Sequence, residues 1–103
     1  MKHILTAIAR IEEYTRGMRC ETFMANNLVQ DAVIRQIEII GEATKQLSKT
    51  IKEKYPEIPW KDIAGMRDKL IHDYLGVDLN AVWKTVEKDI PFLKNKLKEI
   101  IAP

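Results

Sequence analysis

An arginine, a histidine and a tyrosine lie close together in the run Arg67-Asp68-Lys69-Leu70-Ile71-His72-Asp73-Tyr74. These residue types suit a reaction that needs no metal, the cleavage of RNA by its own 2′-hydroxyl. The nucleophile belongs to the substrate, so the protein must supply only proton transfer and an anchor for the phosphate. His72, with an ordinary imidazole pKa of about 6.5, can move protons near neutrality. Arg67 offers a planar fork of N–H donors to the phosphate and to the charge that builds on it. Tyr74 can hydrogen-bond the phosphate or stack on a base. Asp68 lies four residues before His72, adjoins it on a helix, and can fix the tautomer of the imidazole. Each residue also has a plainer reading. A lone histidine near a helix end more often serves the fold than chemistry, and a tyrosine on an apolar stripe is more often core.

Arg67 is the hardest of these to read as ordinary surface. Apolar spacing predicts a helix from about Trp60 to Leu75, stopped at Gly76, with Trp60, Ile63, Ala64, Met66, Leu70, Ile71 and Tyr74 on one face. Arg67 falls near the centre of that face. A guanidinium there requires a carboxylate, an anionic ligand or a water-filled cleft. Arg67 and His72 stand about 140° apart on an ideal helix, so one straight helix does not bring them together. Convergence needs the long arginine side chain to bend round, the helix to unwind before Gly76, or a second copy of the helix across a two-fold axis.

The elements around this run are also helical in pattern. Ile4, Leu5, Ile8 and Ile11 mark a first helix that ends at Gly17. A turn is expected around Thr22 to Ala25, after which Asn26-Asn27 caps a long helix from about Leu28 to Leu47. Its apolar residues, Leu28, Ala32, Val33, Ile37, Ile39, Ile40, Ala43 and Leu47, spread over nearly half the circumference, so it should touch more than one neighbour. Asp31, Arg35, Glu38 and Glu42 gather opposite and read as a solvated ion-pair stripe. Gln36 projects into the apolar arc and is expected to find hydrogen-bond partners. Ser48 caps a short helix ending at Tyr55-Pro56, and Ile58-Pro59-Trp60 restarts the chain into the next. Asp78 caps a last helix whose Leu79, Val82, Trp83, Val86, Ile90, Leu93, Leu97 and Ile100 form a packed seam. Pro91 should kink or split it near Asp89. The expected fold is all-α: an antiparallel bundle of four main helices plus short ones, in a single domain over residues 1–103.

Composition narrows the function by exclusion. The chain has 103 residues and a net charge of +2, so charge alone does not announce a nucleic-acid binder. Lys84, Lys88, Lys94, Lys96 and Lys98 read as solvated lysines before they read as an RNA track. Cys20 is the only cysteine and His3 and His72 the only histidines. No internal disulfide can form, and neither a metal site nor any other cofactor is expected. No apolar run is long enough to span a membrane and no signal-peptide pattern opens the chain, so the expected location is the cytoplasm.

The Arg-x4-His-x-Tyr pattern of Arg67, His72 and Tyr74 resembles the signature of HepT-like toxins, within the HEPN superfamily of helical ribonucleases. The stretch from Gln30 to Ala43, Tyr55-Pro56-Glu57-Ile58-Pro59-Trp60, Ile63-Ala64-Gly65-Met66-Arg67 and Tyr74-Leu75-Gly76-Val77-Asp78 look like blocks of the same family. The resemblance implies a HEPN-like homodimer acting as a metal-independent endoribonuclease, its cleft formed where two motif-bearing helices meet. His72 would be catalytic base or acid, Arg67 the catalytic phosphate-binding residue, and Asp68 and Tyr74 supporting residues. It also implies a partner, a minimal nucleotidyltransferase antitoxin that transfers AMP to the Tyr74 hydroxyl and so blocks the RNA site. Asp68 stands where Asn is common, and Asp73, where many relatives carry Gly, adds a negative charge near the phosphate site. The competing readings are a non-catalytic helical module for dimerisation or docking, and a substrate-recognition subunit for a nucleotidyltransferase.

Overall fold

The computed structural model describes residues 1–70 and 78–101. All regular structure among the described residues is helical: α1 (Lys2–Thr15), α2 (Cys20–Met24), α3 (Asn27–Lys45), α4 (Lys49–Lys54), α5 (Trp60–Ala64), α6 (Met66–Leu70), α7 (Leu79–Lys84), a π-helical turn (Thr85–Asp89) and α8 (Ile90–Ile101). No helix among the described residues is long and apolar enough to cross a membrane.

Local side-chain chemistry starts several of these helices. Asn26 Oδ1 accepts the Val29 N–H at 3.0 Å, Ser48 Oγ accepts the Ile51 N–H at 3.2 Å, and Asp78 Oδ1 accepts the Ala81 N–H at 3.0 Å. Each supplies an oxygen to a first-turn amide that has no partner within its own helix. Gly17 lies beyond the end of α1 with φ +74°, a left-handed conformation that an L side chain would strain. The expected turn at Thr22 to Ala25 is instead part of α2, where the Thr22 hydroxyl and the Arg19 backbone bond each other at 2.8 Å in both directions.

α3 is the hub and contacts α1, α2, α5 and α6, as its wide apolar arc requires. Ile4, Ala7, Ile8 and Ile11 of α1 are buried, as are Val33, Ile37 and Ile40 of α3. Phe23 of α2 stacks against Trp83 of α7 with ring centroids 5.1 Å apart, closing one end of the core. Leu28 departs from the expected arc. It is 79% exposed because α3 has only just begun at that point. The buried amide with defined partners is Gln30, whose Nε2 donates to the Phe23 and Met24 carbonyls at 2.8 and 3.0 Å. Gln36 is also buried, but no hydrogen bond to its amide is found among the described residues.

The last helix is interrupted just before Pro91, where the run Thr85–Asp89 is a π-helical turn between α7 and α8. Proline lacks an N–H and its ring crowds the carbonyl four residues back. The chain answers with one wider turn just before α8, in which the Ile90 N–H bonds to the Thr85 carbonyl five residues earlier. Thr85 is buried there and its hydroxyl donates to the Ala81 carbonyl at 2.9 Å. α8 is tied to α1 by Lys94 Nζ, 2.8 and 3.1 Å from the two Glu12 carboxylate oxygens. Lys94 is therefore engaged in a surface ion pair between helices.

Candidate active site

The expected third helix is, over its described part, two short helices meeting at Gly65. α5 is fixed by Trp60. Its ring is buried and its indole N–H donates to the Lys52 and Tyr55 carbonyls at 3.1 and 3.0 Å, pinning α5 to the end of α4. Ile63 and Met66 are buried on either side of the break. The Gly65 N–H closes α5 on the Lys61 carbonyl, and the Gly65 carbonyl accepts the Asp68 N–H at 3.0 Å to open α6.

That break changes the setting of Arg67. A wheel drawn straight through α5 and α6 places its side chain in the middle of the apolar face. In the structure α5 and α6 are separate helices with Gly65 between them, and the Arg67 side chain is 49% exposed. The compensation that the sequence demanded is nevertheless present, and it is a carboxylate. Arg67 Nε lies 3.2 Å from Glu38 Oε2 on α3, and Arg67 NH1 lies 3.7 Å from Asp68 Oδ1. Glu38 is the more enclosed of the two acids, with 31% of its side chain exposed against 76% for Asp68. The guanidinium is thus held between two carboxylates and half open to water.

Glu38 is the residue that sequence reasoning missed, having been assigned to a solvated stripe. A signal did exist, three residues further on. Gly41 is buried in the middle of α3, and a Cβ there would sit 3.1 Å from the Ala64 backbone oxygen at the end of α5. A glycine inside a long helix commonly marks close approach of another backbone. A residue three positions before it lies on nearly the same side of the helix. Glu38 therefore faces α5 and α6, where Arg67 stands.

His72, Asp73 and Tyr74, together with the expected stop at Gly76, lie outside the described residues. The structure brings together Arg67, Asp68 and Glu38, and α6 contacts α7, the helix that follows the motif. Asp68 Oδ1 lies 3.7 Å from Arg67 NH1, and Arg67 is one of the partners the sequence offered it beside Lys69 and His72. Two depressions lie elsewhere on the surface. One, of about 200 Å³, is lined by residues including Ile63, Met66, Phe92 and the carboxylate-bearing Asp62 and Asp89, which would repel a phosphate. The other, of about 400 Å³, lies between α2 and α7 and has Arg19, Lys84, Glu87 and Trp83 in its walls.

A family model described as "Ribonuclease HepT-like" matches residues 4–100. A protein of Thermococcus cleftensis named "Probable ribonuclease HepT" is 50% identical over 100 residues, covering 97% of this chain and 91% of that one. A candidate RNase of Caldanaerobacter subterraneus is 45% identical over 101 residues, covering 98% of this chain and 90% of its own length. A protein of Methanocaldococcus jannaschii, named as a gamma-glutamylcyclotransferase and candidate RNase, is 52% identical over 101 residues, but these are only 46% of that protein. No solved structure matches the chain.

Proposed function

The chain belongs to the HepT-like ribonuclease family, and from that premise we propose that it is a metal-independent endoribonuclease acting as the toxin of a type VII-like toxin–antitoxin pair in the cytoplasm. The active form is a homodimer of HEPN-like bundles, each a single domain of four main helices with short ones between. Two motif-bearing segments meet across the two-fold axis, so that an Arg67 and a His72 can share one cleft although they diverge on a single ideal helix.

The reaction is a transesterification within the RNA. The 2′-hydroxyl loses its proton to a base and its oxygen bonds to phosphorus. The bond from phosphorus to the 5′-oxygen breaks, and the leaving oxygen takes up a proton. The products are a 2′,3′-cyclic phosphate and a free 5′-hydroxyl. His72 carries the protons, and Arg67 holds the non-bridging oxygens and neutralises the charge that grows on them. Asp68 and Tyr74 support the site. AMP transferred to the Tyr74 hydroxyl by a nucleotidyltransferase antitoxin would place a negative phosphodiester beside Arg67, where the RNA phosphate must bind.

One observation carries the reading at the level of residues. The guanidinium at the head of the motif is half exposed and held by an acid on a neighbouring helix, and so is available to an anion. The test is cleavage of RNA by purified protein and by its Arg67→Ala and His72→Ala variants, with dimerisation followed in parallel. Both substitutions should abolish cleavage and growth inhibition while leaving folded dimers. Activity should survive a chelator and leave cyclic phosphate ends. A strict metal requirement, or an unimpaired His72→Ala variant, refutes the mechanism. Mass increments of AMP on Tyr74 after co-expression with a minimal nucleotidyltransferase would test the antitoxin step.

A further inference from the structure

We propose that Glu38 is a positioning residue for the nuclease reaction, holding the Arg67 guanidinium by its Nε edge so that its two terminal nitrogens are presented to the scissile phosphate. The proposal rests on the ribonuclease reading above and adds a residue from outside the motif.

Arg67 needs such a partner. It is carried on a helix of five residues, its side chain is half exposed, and a free arginine side chain has much rotamer entropy to lose on being fixed. Glu38 is placed to reduce that loss before substrate arrives. It stands on a 19-residue helix, and the α3 backbone is packed so closely against the end of α5 that Gly41 has no room for a side chain without a shift. A carboxylate anchored there is a rigid reference point for a guanidinium on the adjoining helix. Arg35 lies one turn away on α3, yet the ion pair of Glu38 runs across helices, to Arg67.

The geometry also says which edge of the guanidinium is left for substrate. Glu38 lies 3.2 Å from Nε, whereas the acid near the terminal nitrogens is the mostly exposed Asp68, at 3.7 Å from NH1. A mostly exposed side chain is easily displaced, and NH1 and NH2 can then bind two phosphate oxygens side by side. The carboxylate of Glu38 carries a cost, because it repels the same phosphate through the guanidinium it orients. That repulsion offsets what preorganisation gains in binding, so the net benefit must appear in the rate and not in the affinity. A residue that merely stabilised the fold would not separate the two.

The experiment uses the full chain, with single-turnover cleavage of RNA and, separately, binding of a 2′-O-methyl RNA that cannot be cleaved. Glu38→Ala should slow cleavage by about ten- to a hundredfold, the range produced by misplacing a reacting group by about an ångström. Its affinity for the uncleavable RNA should be unchanged or tighter. Glu38→Gln keeps the shape and one acceptor oxygen, so it should recover part of the rate, and it keeps the question open to test if the alanine variant does not fold. Wild-type rates in the glutamine variant, faster cleavage in either variant, or a loss seen only in binding would overturn the proposal. Arg67→Ala separates the two readings. If it still cleaves, the ribonuclease assignment of Arg67 fails. If it is dead while both Glu38 variants are fully active, only the role of Glu38 fails.

Discussion

Gly41→Ala sets two known effects against each other at a place where the structure can decide between them. In the interior of an exposed helix this change would stabilise the chain by about 1 kcal/mol, because alanine is the better helix former. Here the new Cβ would lie 3.1 Å from the Ala64 oxygen, when ordinary contact begins at 3.4 Å. The atom it meets is backbone, so no side chain can swing away. α5 must retreat by about 0.3 Å or more, at a cost typical of adding a methyl to a filled space, about 1–3 kcal/mol. The net expectation is a loss of about 1 kcal/mol, or a fall in Tm of roughly 4–8 °C for a chain of this size. Functionally the same retreat matters more. α6 follows α5 directly, so the Arg67–Glu38 separation of 3.2 Å should lengthen towards the limit of a useful ion pair. Cleavage at a temperature where the variant is fully folded should fall severalfold. Thermal melts by circular dichroism and cleavage at 25 °C read the two effects separately. A Gly41→Ala protein that melts higher than the parent and cleaves at its rate would show that α3 and α5 are not tightly apposed, and the account of how Glu38 reaches Arg67 would fall with it.

Removing helix caps should cost stability and leave the chemistry alone. Asn26→Ala and Asp78→Ala each remove an oxygen from a first-turn N–H, and each should lose about 1 kcal/mol by urea denaturation. Trp60→Phe leaves the Lys52 and Tyr55 carbonyls without the indole donor and loosens α5 from α4. A loss of about 1–3 kcal/mol in the same assay is expected, with reduced cleavage because α6 hangs from α5. Lys94→Ala breaks the pair with Glu12, whose partners are 31% and 43% exposed, so solvent screening limits the effect to under about 1 kcal/mol and it should shrink in high salt. RNA affinity, measured by filter binding, should not change in that variant. A clear fall would return Lys94 to an RNA track.

What could be read from the sequence depended on how far apart the interacting groups lie along the chain. The caps at Asn26, Ser48 and Asp78 were legible because each acts on an amide three residues away. An irregular turn before α8 was legible because proline disturbs its own preceding turn, although its form as a π turn was not. The need of Arg67 for a partner was legible from its own helix, whereas His72 and Tyr74 lie outside the described residues. Two things were not. The break at Gly65 escaped because a helical wheel assumes a single straight axis, and the pattern of Trp60, Ile63, Ala64 and Met66 fits that axis well. The Glu38–Arg67 pair escaped because it joins separate helices, and neither wheel alone shows which neighbour its polar side will meet. The arginine still posed the correct question, since its apolar setting demanded a compensating partner. The answer was marked on the other helix by a glycine. Inside a helix a glycine gives up about 1 kcal/mol relative to alanine, and it stands at Gly41 where the α5 backbone needs the room. An out-of-place cation on one helix and an out-of-place glycine on another are two halves of one contact. Together they would have pointed from the sequence to Glu38, because the polar residue one turn before a close-approach glycine is the one that meets whatever the approaching helix carries.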